Sequence, residues 1–436
     1  MQEAAEIQQM AQNAREASLR LAAASLDVRN QALLAIADQI ELNKLEIMEA
    51  NQKDLALAEK EGLDAPLLAR LKVTQDKCAR MVEGLRALAK LPDPLGKVQY
   101  AKEIAEELAL YRVACPIGVV GIIFESRPDA LVQISSLCLK SGNAVLLKGG
   151  REAAQTNEAL WRLIISATAS CGLPENWCGL LHSREDVQEM LKQHESIDLI
   201  IPRGSNAFVR YIMQNSEIPV LGHAEGLCHV YIDSPCDIDM AVKVAADSKA
   251  QNLSVCNAAE TLLVHKDIAA AILPLLQAEL VKRKVEIRGD CAAQAIIPCK
   301  PAAQEDWETE YLDAILSIRV VNTMEEAIAH INRYGSHHTD CIVSSELAHA
   351  NEFMTLVDSA DVFHNCSTRF ADGFLFGFGA EVGIATGKLH ARGPMGMEGL
   401  CTYKYKLYGN GQTLAELNQG KIALTHRELK AELPIE

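Results

Sequence analysis

At 436 residues the chain exceeds the size at which a single hydrophobic core keeps growing, so two or more domains are expected. Apolar residues make up 49% and charged ones 23%, an ordinary globular balance. The formal net charge of −16 excludes general binding to nucleic acid or to an anionic membrane surface, which requires a basic face; a phosphorylated or carboxylate ligand must instead meet cations gathered locally.

The 13 cysteines are odd in number, show no CxxC pair and fall mostly inside apolar runs, which predicts reduced thiols and a cytoplasmic setting. The first residues carry no basic start followed by an apolar stretch, so no secretory signal is expected. The longest strongly apolar run, 117–124, is far too short to cross a bilayer.

In chain order, residues 1 to about 92 predict helices, with Ile7, Met10, Ala14 and Ala17, then Leu33, Ile36, Ala37 and Ile40, at helical spacing. A loop with two prolines, LPDPLG at 91–96, follows. Residues 98–114 are ambiguous: their periodicity allows a helix, and their place between a proline loop and a strand allows a hairpin. From 117 onward apolar runs alternate with amphipathic stretches. Strands are predicted at 117–124, 144–147, 197–201 and 228–232, with helices at 129–140, 152–170, 184–193, 206–214 and 238–249. A second set follows, with strands near 261–265, 317–321, 340–344 and 361–364 and helices near 267–283, 324–333 and 346–358. This alternation predicts two α/β domains with mostly parallel sheets.

The stretch QNLSVCNAAE, 251–260, lies between a predicted helix and a predicted strand near the junction of the two sets. Most free cysteines are buried small hydrophobes. Cys256 differs in standing in a polar connection among side chains too small to cover it, which marks it as a candidate nucleophile. No GxGxxG opens a helix after a strand, so the usual dinucleotide fingerprint is missing. Lys148-Gly149-Gly150, after a strand, reads either as a phosphate cradle or as a plain turn. Gly204 and Ser205 also end a strand, and Ser205 either caps the next helix or helps its amino end hold an anion. Glu310 stands in the acidic run EDWETE, where a solvated surface role is the default. His223, Cys228 and His229 have weak metal spacing, and a buried strand cannot turn all three to one ion; no metal is expected.

Taken together, GVVGIIFESRP (118–128), CLKSGNAVLLKGG (138–150), IDLIIPRGS (197–205), CHVYID (228–233), VCNAAETLLVH (255–265), AIAHINRYGS (327–336) and the long block 367–400 resemble the gamma-glutamyl phosphate reductase family of the aldehyde dehydrogenase superfamily. The resemblance implies an aldehyde dehydrogenase-like α/β fold: two doubly wound parallel-sheet domains plus a small β oligomerisation arm. Residues 1–97 with 115–235 would bind cofactor, 236–400 would carry the nucleophile, and 98–114 with 401–412 would form the arm. The hairpin reading of 98–114 follows from this, as does a homo-oligomer, dimer or tetramer.

The implied activity is NADPH-dependent reduction of L-glutamyl 5-phosphate to glutamate 5-semialdehyde through a thioacyl enzyme on Cys256; the alternatives are a thiol acyltransferase on the same cysteine or a non-catalytic scaffold. The resemblance also implies Lys148, Gly204, Ser205 and Glu310 at the NADP site, Ser126 as a donor to the oxyanion, and Arg127, Asn365, Ser367 and Arg369 at the substrate. Where hydrolytic relatives carry a water-activating glutamate, this chain has His223, either a structural histidine or an acid or phosphate contact. No kinase domain is present, so the acyl phosphate would come from a separate glutamate 5-kinase, a possible partner.

Overall fold

The structure, a computed structural model, describes residues 2–222 and 225–433; His223 and the reading attached to it lie outside the described residues. Five helices lead: α1 (Gln2–Ala23), α2 (Leu26–Leu42), α3 (Lys44–Lys60), α4 (Ala65–Leu71) and α5 (Gln75–Lys90). Ser25 and Thr74 cap α2 and α5 by accepting the backbone N–H of Val28 and Lys77, which satisfies donors that have no partner within the helix. The apolar positions at helical spacing, Leu33, Ile36, Ala37 and Ile40 among them, are buried.

The ambiguous segment is a hairpin, β1 (Val98–Ala105) and β2 (Leu108–Pro116), turned at Glu107 with φ +56°. Tertiary pairing overrides its helical periodicity, because β2 is held on both sides by strands distant or adjacent in sequence.

A four-stranded parallel sheet follows, from β3 (Val119–Ile123), α6 (Pro128–Lys140), β4 (Ala144–Lys148), α7 (Ala154–Ser170), β5 (Cys178–Leu181), α8 (Arg184–Met190), β6 (Leu199–Pro202) and α9 (Asn206–Asn215). Its order is β5-β4-β3-β6. The short β5 escapes the sequence reading because four residues with a glycine carry too little pattern. Gly118 enters β3 at φ +133°, and a β-carbon there would lie 2.1 Å from Asp198 Oδ2. That carboxylate accepts from Val119 N at 2.8 Å and from both Nη atoms of Arg15 at 2.7 and 2.8 Å, tying α1 to the sheet.

The second sheet is assembled from β7 (Cys228–Ile232), α10 (Ile238–Ala250), β8 (Ala259–His265), α11 (Lys266–Lys282), β9 (Glu286–Gly289), α12 (Cys291–Gln294), β10 (Lys300–Pro301), β11 (Ile315–Val321), α13 (Met324–Tyr334), β12 (Thr339–Val343), α14 (Leu347–Leu356) and β13 (Asp361–His364). All seven strands are parallel, in the order β10-β9-β11-β8-β7-β12-β13. The expected boundary at 235 is therefore corrected: β7 lies within this sheet, between β8 and β12. Beyond it come a small hairpin, β14 (Gly383–Ala385) with β15 (Gly393–Met395), then β16 (Cys401–Tyr408), α15 (Leu414–Asn418) and β17 (Leu424–Glu428). Val382, Ala385, Met395, Met397 and Leu400 pack into the core of the first region, so the end of the expected 236–400 unit returns to it. The arm sheet runs β16-β2-β1-β17, one strand more than 98–114 and 401–412 supply.

Candidate active site

Cys256 sits in the loop entering β8, at the amino end of the seven-stranded sheet. It opens on a cavity of about 600 Å³ whose opposite wall is the carboxyl end of the four-stranded sheet, Ile201 to Gly204 at the end of β6 and Arg127 after β3. Gly226, in the loop entering β7, is pressed against Cys256: a β-carbon there would lie 2.1 Å from the carbonyl oxygen of Cys256, so only glycine lets the two loops meet. The loop after Cys256 is fixed by Asn257, whose Nδ2 donates to the Ala371 carbonyl at 2.9 Å, and by Thr368, whose hydroxyl donates to the Asn257 carbonyl at 2.7 Å.

Burial, reinforced by the nearby Glu310 and Glu381 carboxylates, pushes the Cys256 thiol up to about 12, while Arg369 opposes the shift. The His338 ring stands at the thiol, Nε2 to Sγ 3.2 Å. His338 was not singled out in the sequence, since it lies 82 positions from Cys256 and only the parallel neighbours β8, β7 and β12 bring the two loops together.

Arg70, Lys77, Arg127 and Arg203 line the cavity with Asp129 and Glu381. Lys77 pairs with Asp129 at 3.0 Å, and Arg127 reaches the same carboxylate at 3.3 Å. Burial, with Arg127 beside it, pushes the Arg203 guanidinium below its ordinary value, and its buried Nη1 has no hydrogen-bond partner among the described residues. A guanidinium so placed is short of an acceptor. Arg70, Lys77 and Arg203 also went unnoticed in the sequence, where a lysine or arginine on a helix or in a turn looks like any solvated cation.

Glu310, predicted at the cofactor, lies between the two loops. Its Oε2 accepts from Asn206 Nδ2 at 2.7 Å and its Oε1 from Gly226 N at 2.9 Å. The loop that carries it is pinned by Glu260, which pairs with Lys249 inside the protein and accepts from Leu312 N at 3.2 Å. Lys148, Gly204 and Ser205 gather at the carboxyl ends of β4 and β6. Lys148 is buried, with its ammonium on the Gly149 carbonyl; burial lowers its pKa against the pull of Glu152, Asp186 and Glu125. Ser205 occupies the cap position of α9, yet its side chain makes no capping bond, and the residue is exposed.

Three predicted residues have other engagements. Ser126, at φ +44°, donates its hydroxyl to Glu152 at 2.6 Å, so its one proton is directed there and not at Cys256. Asn365, at φ +58°, binds both the N–H and the carbonyl of Ser344 at 3.0 Å, at the carboxyl end of β12. It makes the reversal that sends the chain back to Thr368 and Arg369. Ser367 caps the short helix at 368–370 and accepts from Ser248 Oγ at 3.3 Å. Arg369 stays within electrostatic reach of Cys256, its Nε donating to Gln251 at 3.0 Å. Among the described residues no group of three or more metal-ligating side chains converges.

Two parallel sheets facing each other across a cavity, with a loop cysteine on one wall, define an aldehyde dehydrogenase-type enzyme, and the sequence model of the aldehyde dehydrogenase family matches residues 1–297. The gamma-glutamyl phosphate reductase of Ruminiclostridium cellulolyticum is 57% identical over 98% of this chain and 99% of its own length. That of Acetivibrio thermocellus is 56% identical over 98% and 100%. The crystal structure of the Thermotoga maritima gamma-glutamyl phosphate reductase superposes with a TM-score of 0.92 at 38% identity, covering 94% of this chain and 99% of that one. The chain belongs to the gamma-glutamyl phosphate reductases of the aldehyde dehydrogenase family.

Proposed function

We propose that this chain reduces L-glutamyl 5-phosphate to L-glutamate 5-semialdehyde with NADPH and releases phosphate, a step of proline biosynthesis. The observation that carries the reading is a thiol opening onto a cavity where a chain of net charge −16 gathers four cationic side chains. An acyl phosphate that also bears an α-carboxylate fits such a site, because both anionic groups need paired guanidinium or ammonium donors away from bulk water.

Cys256 attacks the acyl carbon as thiolate, expels phosphate and forms a thioester. Arg203 and Arg127, with Lys77 and Arg70 behind them, hold the anionic groups; Arg369 adds positive charge beside the sulfur. The backbone N–H of Cys256 faces the oxyanion of each tetrahedral species. Ser126 serves as a second donor only if it leaves Glu152, and Asn365 and Ser367 act by shaping the loop that presents Arg369. When bound, reduced nicotinamide supplies the hydride that converts the thioester to the aldehyde level. Glu310 fits its ribose: a carboxylate with spare acceptor capacity sits on Gly226, which itself abuts the nucleophile. Lys148, Gly204 and Ser205 form the remaining part of that site, with the free Ser205 hydroxyl at the amino end of α9 suited to a phosphate oxygen. Residues on the first sheet bind cofactor, the second sheet carries the chemistry, and the arm joins copies of the chain.

The test follows absorbance as NADP is reduced in the presence of glutamate 5-semialdehyde and phosphate. Phosphate-dependent reduction is expected from wild type and a loss of at least about 10³-fold from Cys256→Ala, as for removal of a covalent nucleophile. A folded wild type that reduces neither NADP nor NAD would overturn the reading.

A further inference from the structure

We propose that His338 is a catalytic acid–base partner of Cys256, taking the thiol proton before attack and returning it to the departing phosphate. The identity of the leaving group rests on the reductase reading above; the pairing itself rests on geometry.

His338 is fully buried where the chain enters β12, and its Nε2 lies 3.2 Å from Cys256 Sγ. Its Nδ1 is 2.7 Å from Thr339 Oγ1. In the proposed state the Thr339 hydroxyl turns its one proton to the Asp361 carboxylate, Oδ2 3.4 Å away, and accepts from the ring. Nδ1 therefore carries a proton, and the neutral ring presents the Nε2 lone pair to the thiol. That is the tautomer a base requires. When Nε2 gains a proton, the imidazolium still donates to Thr339, and the Asp361 carboxyl behind it compensates the new charge. Asp361 is itself buried and reached by Arg392, so the line from Asp361 through Thr339 and His338 to Cys256 crosses from β13 to the loop before β8.

The site needs such a partner. Burial, with Glu310 and Glu381 nearby, holds the thiol well above its ordinary value, so free thiolate is scarce at neutral pH. Transfer to an adjacent imidazole replaces an isolated buried anion with an ion pair. In the forward direction the S–H proton moves to Nε2, the C–S bond forms and the C–O bond to phosphate breaks with its electron pair on oxygen. The Nε2 proton then passes to that oxygen. After reduction of the thioester by NADPH, the C–S bond breaks with its electrons on sulfur, and the His338 ring relays a solvent proton to the thiolate. Among the described residues, the groups facing the pair include Glu310, Glu381, Arg369, Arg203 and Cys228 around the sulfur, and Thr339 and Asp361 behind the ring.

The test measures alkylation of Cys256 by iodoacetamide, peptide by peptide in the mass spectrometer, from about pH 5 to about pH 10, so that the other cysteines serve as internal controls. In His338→Gln the Cys256 rate at neutral pH is expected to fall at least about tenfold and its profile to move to higher pH. Phosphate-dependent NADP reduction is expected to fall about 10²–10⁴-fold in kcat, with partial recovery at alkaline pH. Thr339→Val shifts the alkylation profile the same way by less, and Thr339→Ser restores it, which keeps the test open should His338→Gln fail to fold. A folded His338→Gln protein with the wild-type rate and profile at Cys256 overturns the proposal. So do Thr339→Val and Thr339→Ser proteins that behave alike. A wild type that reduces no NADP while its Cys256 alkylation still depends on His338 supports the pair and overturns only the reductase reading.

Discussion

In the four-stranded sheet the strand order reverses between β3 and β6, and the cavity lies at the carboxyl ends of those two strands, where Arg127 and Arg203 emerge. In the seven-stranded sheet the order reverses between β7 and β12, yet the crevice at their carboxyl ends is filled. Asp233, at the end of β7, accepts from Tyr231 Oη at 2.9 Å, Ser344 Oγ at 2.7 Å and His349 Nδ1 at 2.7 Å. The chemistry of this sheet sits at its other end, in the loops entering β7, β8, β11 and β12. A switch point favours a ligand because adjacent connections diverge there. Such a crevice remains available only while no side-chain network closes it. The first sheet leaves Arg203 Nη1 without a hydrogen-bond partner among the described residues; the second saturates its carboxylate.

The largest effect should come from opening the closed end. Asp233→Ala leaves the Tyr231 and Ser344 hydroxyls buried without their acceptor, and a loss of about 2–4 kcal/mol in denaturant unfolding is expected, with KM for substrate and nucleotide unchanged. A large change in KM with little loss of stability would erase the distinction between the two ends. Next, Arg203→Met removes the unpartnered cation of the open crevice. A fall of about 10- to 100-fold in kcat/KM for the phosphorylated or phosphate co-substrate is expected, with stability maintained, consistent with about 1.5–3 kcal/mol for a charged hydrogen bond. Steady-state kinetics with phosphate varied would check this.

Glu310→Gln keeps the shape between the two walls but removes the charge. Nucleotide KM should rise about tenfold or less, read by titrating NADP at saturating phosphate. The smallest effect concerns His349, whose hydrogen bond to Asp233 raises its pKa above the ordinary value. The pair is partly exposed and contributes less than about 1 kcal/mol. Because the folded-state value is raised, the contribution is complete below the unfolded value of about 6.5 and disappears as pH rises through the folded one. His349→Gln should therefore narrow the difference in Tm between mildly acidic and mildly alkaline buffer, measured by scanning calorimetry.

Much of the scaffold was legible because it follows from local pattern. The apolar runs that became β3, β4, β6, β8 and β12 are continuous because both faces of a parallel sheet are covered, and the helices between them keep one apolar face. The hairpin β1–β2 was not legible from periodicity, since its partners β16 and β17 lie hundreds of residues on. β9 and β10 escaped because they are short, two to four residues, with little apolar pattern. Of the site, Cys256 stood out by the poverty of its surroundings, and Arg127 and Glu310 by resemblance. Ser126 and Asn365 were recognised as special, but the positive φ at both shows them shaping the chain, with side chains bonded to Glu152 and Ser344.

Alternation and motif specify a two-sheet α/β enzyme and its family, and the identity of one side chain in a polar loop marks Cys256 as the candidate nucleophile. Only the tertiary structure decided which ends of the sheets face each other. That choice set His338 against Cys256, gathered Arg70, Lys77 and Arg203 around one cavity, and moved β7 into the second sheet. The physical reason is that a proton transfer or a shared charge depends on separations of a few ångströms between side chains tens to hundreds of positions apart, which no local spacing encodes.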